Sequence, residues 1–220
     1  IQLYRQSIAL SPEDFVIRSE AARVEARASF IGQPPNPKYL DNARQLAEQA
    51  YQQAPNHPQP LWALGYVRFY EGKRHEALQL LDQALLFGGE RAEINDLIGR
   101  ILTEEGPIER ALTHLEHAFK LNPKEITTRL DLSRLYAYLN QWEQVDELLC
   151  IQVESDSDYG ALAITRARLS LWRGSSCNKM THQSRNRTRE GALFSNLIDI
   201  FQLTRENGQI SKQLYESLST

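Results

Sequence analysis

Residues 60–89 read PLWALGYVRFYEGKRHEALQLLDQALLFGG, and residues 92–123 read AEINDLIGRILTEEGPIERALTHLEHAFKLNP. At an offset of 34 residues the two lines fall into register: Gly65 on Gly99, Gly72 on Gly106, Ala77 on Ala111, Leu81 on Leu115 and Ala84 on Ala118. A fixed period in this range is the signature of stacked helical repeats. Each line predicts two short helices joined by a turn, at Glu71-Gly72-Lys73 in one and Glu105-Gly106-Pro107 in the other. Glycine at the end of a helix supplies the left-handed backbone that such a turn needs, and Pro107 suits the first turn of the helix that follows.

Working outward, a third unit over residues 126–159 keeps Leu132, Tyr136, Trp142, Val145 and Leu149 on the framework, with Ser133 and Asn140 in place of the two glycines. Asparagine also tolerates the left-handed conformation, so the turn is expected to survive. Residues 160–174 read as the first helix of a further unit. Upstream, residues 58–91 and 92–125 are preceded by a longer unit over about 13–57. Its landmarks Pro12 and Pro55 lie 43 residues apart, which places about nine extra residues around the proline-rich loop GQPPNPK at 32–38. Residues 39–54 carry Leu40, Ala43, Leu46, Ala47, Ala50 and Tyr51 at helical spacing. Residues 1–12 look like the second helix of a partial unit, closed by Ser11-Pro12. The chain opens without Met in the middle of a helical pattern, and it reads as an excised region of a longer protein. After residue 174 the pattern stops: residues 175–191 are a polar loop, and residues 192–220 read as two helices capping the open end of the stack.

Composition agrees with a globular chain. Of 220 residues, 41% are hydrophobic and 24% charged, with a net charge of −3, which argues neither for a nucleic-acid binder nor for an acidic tail. Two cysteines, Cys150 and Cys177, are too few for a disulfide framework or a four-cysteine zinc site. No apolar run approaches the roughly 20 residues of a membrane span, and no signal-peptide pattern opens the chain. A cytoplasmic location is expected, or a periplasmic one if an upstream signal or membrane segment precedes these residues. No nucleophile elbow, phosphate loop, zinc-protease motif or dinucleotide fingerprint occurs, so no catalytic residue and no cofactor is expected. His114 and His117 lie three apart on one helix without an evident third ligand, and they are read as solvated side chains rather than a metal pair. The basic run Lys179, Arg185, Arg187, Arg189 lacks aromatic partners and reads as a linker.

The framework Leu64-Gly65, Gly72, Ala77, Leu81, Ala84, echoed by Ile98-Gly99, Gly106, Ala111, Leu115, Ala118, Pro123, resembles the tetratricopeptide repeat. Two positions depart from that pattern: Arg68 stands where a first-helix tyrosine is usual, and Gly89 where the closing proline is. The resemblance covers residues 1–174. It implies an all-α fold, a right-handed superhelix of antiparallel helix pairs, in which small residues sit where helices cross. The broader layout also resembles repeat regions of bacterial signalling proteins such as kinases, adenylate cyclases and winged-helix regulators.

In tetratricopeptide arrays the first helix of each unit lines a concave groove that receives a peptide. The resemblance therefore implies a non-catalytic interaction module. The alternative is a sensory or regulatory region acting on a neighbouring domain of a larger signalling protein. Counting along the units puts Trp62, Tyr66, Phe69 and Tyr70 on the groove stripe, with Phe69 divided between the groove and the neighbouring helix. Arg100, Arg134 and Arg168 follow at equivalent positions 34 residues apart, and Arg23 takes the corresponding place in the longer unit. Guanidinium groups pair with carboxylates bidentately, which points to an acidic peptide. Glu93, Asp96 and Glu104 share the stripe, so intramolecular pairing is the competing use of these arginines. Trp62 and Tyr66 occupy the places of the Lys and Asn of the chaperone-binding carboxylate clamp, so chaperone binding is not expected.

Overall fold

The computed structural model describes residues 1–31, 36–151 and 156–173. Among these residues it contains ten α-helices and no strand: α1 Gln2–Leu10, α2 Phe15–Ile31, α3 Pro37–Gln53, α4 Pro58–Tyr70, α5 Arg74–Leu86, α6 Ala92–Glu105, α7 Ile108–Leu121, α8 Ile126–Tyr138, α9 Trp142–Leu149 and α10 Asp156–Arg173. The polar loop and the capping helices expected beyond residue 174, together with Cys177, lie outside the described residues.

Close contacts divide the chain into two units, one over residues 1–128 and one beginning at Arg129. In the first unit, consecutive helices pack as pairs, α2 on α3, α4 on α5 and α6 on α7. Short turns force the partners of each later pair to run antiparallel. Pairs meet through their first helices, α4 touching both α2 and α6, while α3 packs on α4 and α5 on α6.

The residues explain why. Gly65 faces Ala77 and Leu81, and Gly99 faces Ala111 and Leu115; a methyl group on Gly99 would lie 2.6 Å from Leu115 Cγ. The two helices of a pair therefore cross where one has no side chain and the other presents a leucine. Alanines play the same part further upstream: Ala22, Ala26, Ala43, Ala47 and Ala63 are fully buried against Leu64 and Val67. Small residues let helix axes approach to the short end of the usual range. In the second unit the core of the described residues comprises Leu130, Leu132, Leu135, Ala137, Val145, Leu148, Leu149, Leu162, Ala167 and Leu169. Two of its arginines bond backbone carbonyls of α9 and the residues after it. Arg129 donates to the Leu148 carbonyl, and Arg166 to the carbonyls of Leu149 and Ile151, covering the C-terminal end of α9.

Helix ends follow the turn chemistry closely. At the end of α4, Gly72 has φ 78°, its N–H donates to the Phe69 carbonyl, and the Lys73 N–H donates to the Arg68 carbonyl. That pair of bonds is the Schellman motif. Asn140, at φ 61°, closes α8 in the same way, with Asn140 bonded to Ala137 and Gln141 to Tyr136. The glycine that departs from the repeat pattern has its own reason. Gly89 donates to the Ala84 carbonyl, and a Cβ there would sit 2.5 Å from that oxygen, so the position admits no side chain.

Three boundaries differ from the expected ones. α3 begins at Pro37 rather than residue 39, because Asn36 caps it by accepting from the Lys38 N–H and proline is at ease in a first turn. Pro107 stands just ahead of α7, as its N-cap. α10 starts at Asp156, four residues before Gly160.

Candidate peptide-binding face

The first helices of unit one, α2, α4 and α6, bring together most of the residues on the predicted stripe. Tyr66 and Tyr70 are one turn apart on α4, half-buried, with ring centroids 5.1 Å apart and hydroxyls 3.4 Å apart. Phe69 stands edge-on to Tyr70 at 5.4 Å. From α6, the Arg100 guanidinium lies 5.7 Å from the Phe69 ring centroid, within reach of a cation–π attraction. Burial, reinforced by the hydrogen bond with Tyr70, pushes the Tyr66 hydroxyl well above the usual tyrosine range, although Arg27 and Arg100 draw it the other way. Tyr66 is therefore a neutral hydrogen-bonding group at physiological pH, flanked by cations from two different helices.

Trp62 occupies a different environment. It is only 3% exposed, and the Arg23 guanidinium stacks over its ring at 3.4 Å while Arg91 lies 5.6 Å away. Arg23 is paired in turn with Glu20. Arg23 thus covers a face of the Trp62 ring.

The arginines divide by unit. Arg100 approaches Asp96, one turn back on α6, at 3.9 Å. Asp96 is largely buried; burial raises its pKa, against a hydrogen bond from Thr128 and the charge of Arg100. In the second unit Arg134 is exposed and paired with Asp131, and Arg168 is exposed with no ion-pair partner among the described residues. Two of the three stripe arginines thus engage carboxylates on their own helices. Same-helix pairs of this kind contribute only about 0.2–0.5 kcal/mol. Glu104 pairs instead with Arg74 of the neighbouring pair, at 2.6 Å.

The structure also places Arg68, the departure from the repeat pattern. Its guanidinium is 15% exposed and touches three carboxylates: Glu48 of α3 at 3.0 Å, Glu71 at 2.8 Å and Glu76 of α5 at 3.2 Å. Glu71 also accepts from Arg44 of α3 and pairs with Lys73 at 3.1 Å. Burial would raise the Glu71 carboxyl, but the bonds from Arg44, Arg68 and Lys73 outweigh it and hold the group at about 2. Arg68 thus joins adjacent repeats where the pattern would have a tyrosine.

His114 bonds Asn95 at 3.0 Å and His117 pairs with Glu90 at 3.1 Å. Among the described residues, no cluster of three or more His, Cys, Asp or Glu side chains has metal-ligand geometry, and no helix is long and apolar enough to cross a membrane.

Two residues beside the tyrosines escaped the sequence reading. Phe30, near the end of α2, is 75% exposed, and its ring centroid lies 6.3 Å from that of Tyr70. Arg27, a turn earlier, is exposed and has no ion-pair partner among the described residues. α2 has 17 residues where α4 has 13, so Phe30 lies past the end of the repeat template that located the other positions. Its one available signal is a large apolar residue left over at the end of an alanine-rich helix.

Helix pairs of this length, closed by left-handed turns and packed through Gly, Ala and Leu at a 34-residue period, define the helical-repeat solenoid of tetratricopeptide-repeat proteins. Solved structures agree on that fold. The chain is similar to YrrB, a tetratricopeptide-repeat protein with an unusual peptide-binding site, at 16% identity over 88% of this chain and 97% of that one, with a TM-score of 0.54. It is similar to TTC0263, a thermophilic tetratricopeptide-repeat protein of Thermus thermophilus, at 16% identity over 81% and 98% of the two chains, with a TM-score of 0.56. It is also similar to PilW, a widely conserved type IV pilus biogenesis factor, at 14% identity over 87% of each chain, with a TM-score of 0.67. No protein-family model and no curated protein sequence matches the chain.

Proposed function

We propose that this chain is a non-catalytic interaction module that binds a peptide or partner protein on the face formed by the first helices of its repeats. The observation that carries the reading is the Tyr66–Tyr70 pair. Two half-buried phenols with adjoining hydroxyls, a phenylalanine beside them and Arg100 close by offer apolar area, hydrogen bonding and positive charge together. Tyrosine and arginine are the residue types on which binding energy concentrates at interfaces. Packing of the repeats accounts for Gly65 and Leu64 on the same helix, but it does not require the polar ends of Tyr66 and Tyr70. YrrB, which shares the fold, carries a peptide-binding site.

The partner is acidic in this reading. Arg100 supplies the charge in the first unit, and Arg134 and Arg168 are the corresponding candidates in the second. Trp62 supports the face from beneath Arg23 rather than by direct exposure.

The test is a selection of random peptides displayed on phage, run in parallel on the full 220-residue chain and on a Tyr66→Ala, Tyr70→Ala, Arg100→Ala variant. Enrichment on the former and its loss on the latter, with thermal melts of both chains still cooperative, is the expected result. Equal enrichment on both chains would place the binding surface elsewhere.

A further inference from the structure

Arg27 and Phe30 of α2 are exposed, with Phe30 beside Tyr70 and Arg27 one turn before Phe30. Phe30 leaves three-quarters of its surface exposed, next to the rings of α4. With it, Tyr66, Phe69 and Tyr70 form an aromatic cluster whose ring-to-ring distances run from 5.1 to 6.3 Å. Arg27 from α2 and Arg100 from α6 both act electrically on the Tyr66 hydroxyl, and the Arg100 guanidinium lies 5.7 Å from the Phe69 ring.

Resting on the reading of this face as a peptide site, we propose that Phe30, Tyr66, Phe69 and Tyr70 form a specificity pocket for one aromatic or large aliphatic side chain of the ligand, while Arg27 and Arg100 bind a carboxylate of an Asp or Glu close to it in the ligand sequence. The chemistry is that of a two-part recognition element. Rings take up the apolar side chain edge-on or offset, as aromatic pairs prefer, and the guanidinium groups take the carboxylate with charge-assisted hydrogen bonds. Charge complementarity selects this occupant. Arg27 has no acidic partner among the described residues, and Arg100, which approaches Asp96 at 3.9 Å, adds positive charge from α6. A purely apolar partner would leave Arg27 beside it without compensation.

Peptides selected on the wild-type chain test this directly. The expected consensus has a Phe, Tyr, Trp or Leu within about three residues of an Asp or Glu, the span that an extended chain covers between the aromatic cluster and the arginines. A fluorescein-labelled copy of a selected peptide should bind Arg27→Glu and Phe30→Ser chains about tenfold more weakly by anisotropy, the scale of losing one good contact. Replacing the peptide's acidic residue by Lys should restore binding to Arg27→Glu. Both positions are exposed, so the variants keep the native fold, and their melting curves verify it. A consensus lacking either element, or affinities unmoved by both substitutions, would overturn the pocket while leaving the interaction reading intact. No enrichment on the wild-type chain would remove both.

Discussion

At the residue scale, the repeat is written in the absence of side chains. Gly65 and Gly99 occupy the same register position, but the space at each differs. An added Cβ would meet Leu81 Cγ at 3.0 Å in the first pair and Leu115 Cγ at 2.6 Å in the second. Alanine raises helix propensity by about 1 kcal/mol over glycine in both places. In the looser pair that gain should nearly offset the contact, so Gly65→Ala is expected to be close to neutral. Gly99→Ala should lower stability by about 1–2 kcal/mol, the cost of overpacking a fixed leucine. Urea denaturation of the two variants decides this, and a larger loss for Gly65→Ala would mean that the crossings are not ordered as described. These positions were legible in the sequence because close packing leaves a compositional trace. The environment of Trp62 was not. A 34-residue offset assigns it to the stripe, but nothing in its neighbours along the chain signals that Arg23, 39 residues upstream, stacks on its ring.

At the scale of elements, the turn after α4 does more than reverse the chain. Glu71 lies there, 6% exposed at its side chain, and accepts bonds from α3, α4 and its own turn. Its carboxyl is held at about 2, below the ordinary value of 4.5 that it recovers on unfolding. A depressed folded-state pKa adds stability that is fully present above pH 4.5 and is lost as the pH falls toward 2. The contribution is about 1–3 kcal/mol after allowance for the solvent exposure of Arg44. Glu71→Gln should therefore unfold at lower urea concentration at about pH 7 and show a flatter loss of stability between about pH 5 and pH 2; a parallel acid limb in the two proteins would assign the loss to other carboxylates. Sequence reading recognised Arg68 only as a departure from the repeat pattern. Its partners come from α3 and α5, and periodicity along the chain does not tell which side chains of neighbouring helices meet it. Phe30 was missed because it lies past the end of the repeat template, on a helix longer than its counterpart. The turns themselves were legible at Gly72, Gly106 and Asn140, because few residues adopt a positive φ.

At the scale of the molecule, α4 is the element on which the first unit depends, since it touches α2, α3, α5 and α6. Removing residues 58–91 takes away the helix that joins the long upstream pair to α6 and α7. The deletion variant is expected to melt well below the intact chain and with reduced cooperativity, as nearest-neighbour coupling requires; an unchanged, single sharp transition would show that the flanking pairs do not depend on it. The central claim is that the first helices form the binding face. Hydrogen–deuterium exchange of the full chain, with and without a selected peptide at saturating concentration, tests it most directly. The account predicts slowed exchange in segments covering 58–70 and 92–105. Slowing confined to α5 and α7, with those segments unaffected, would contradict it.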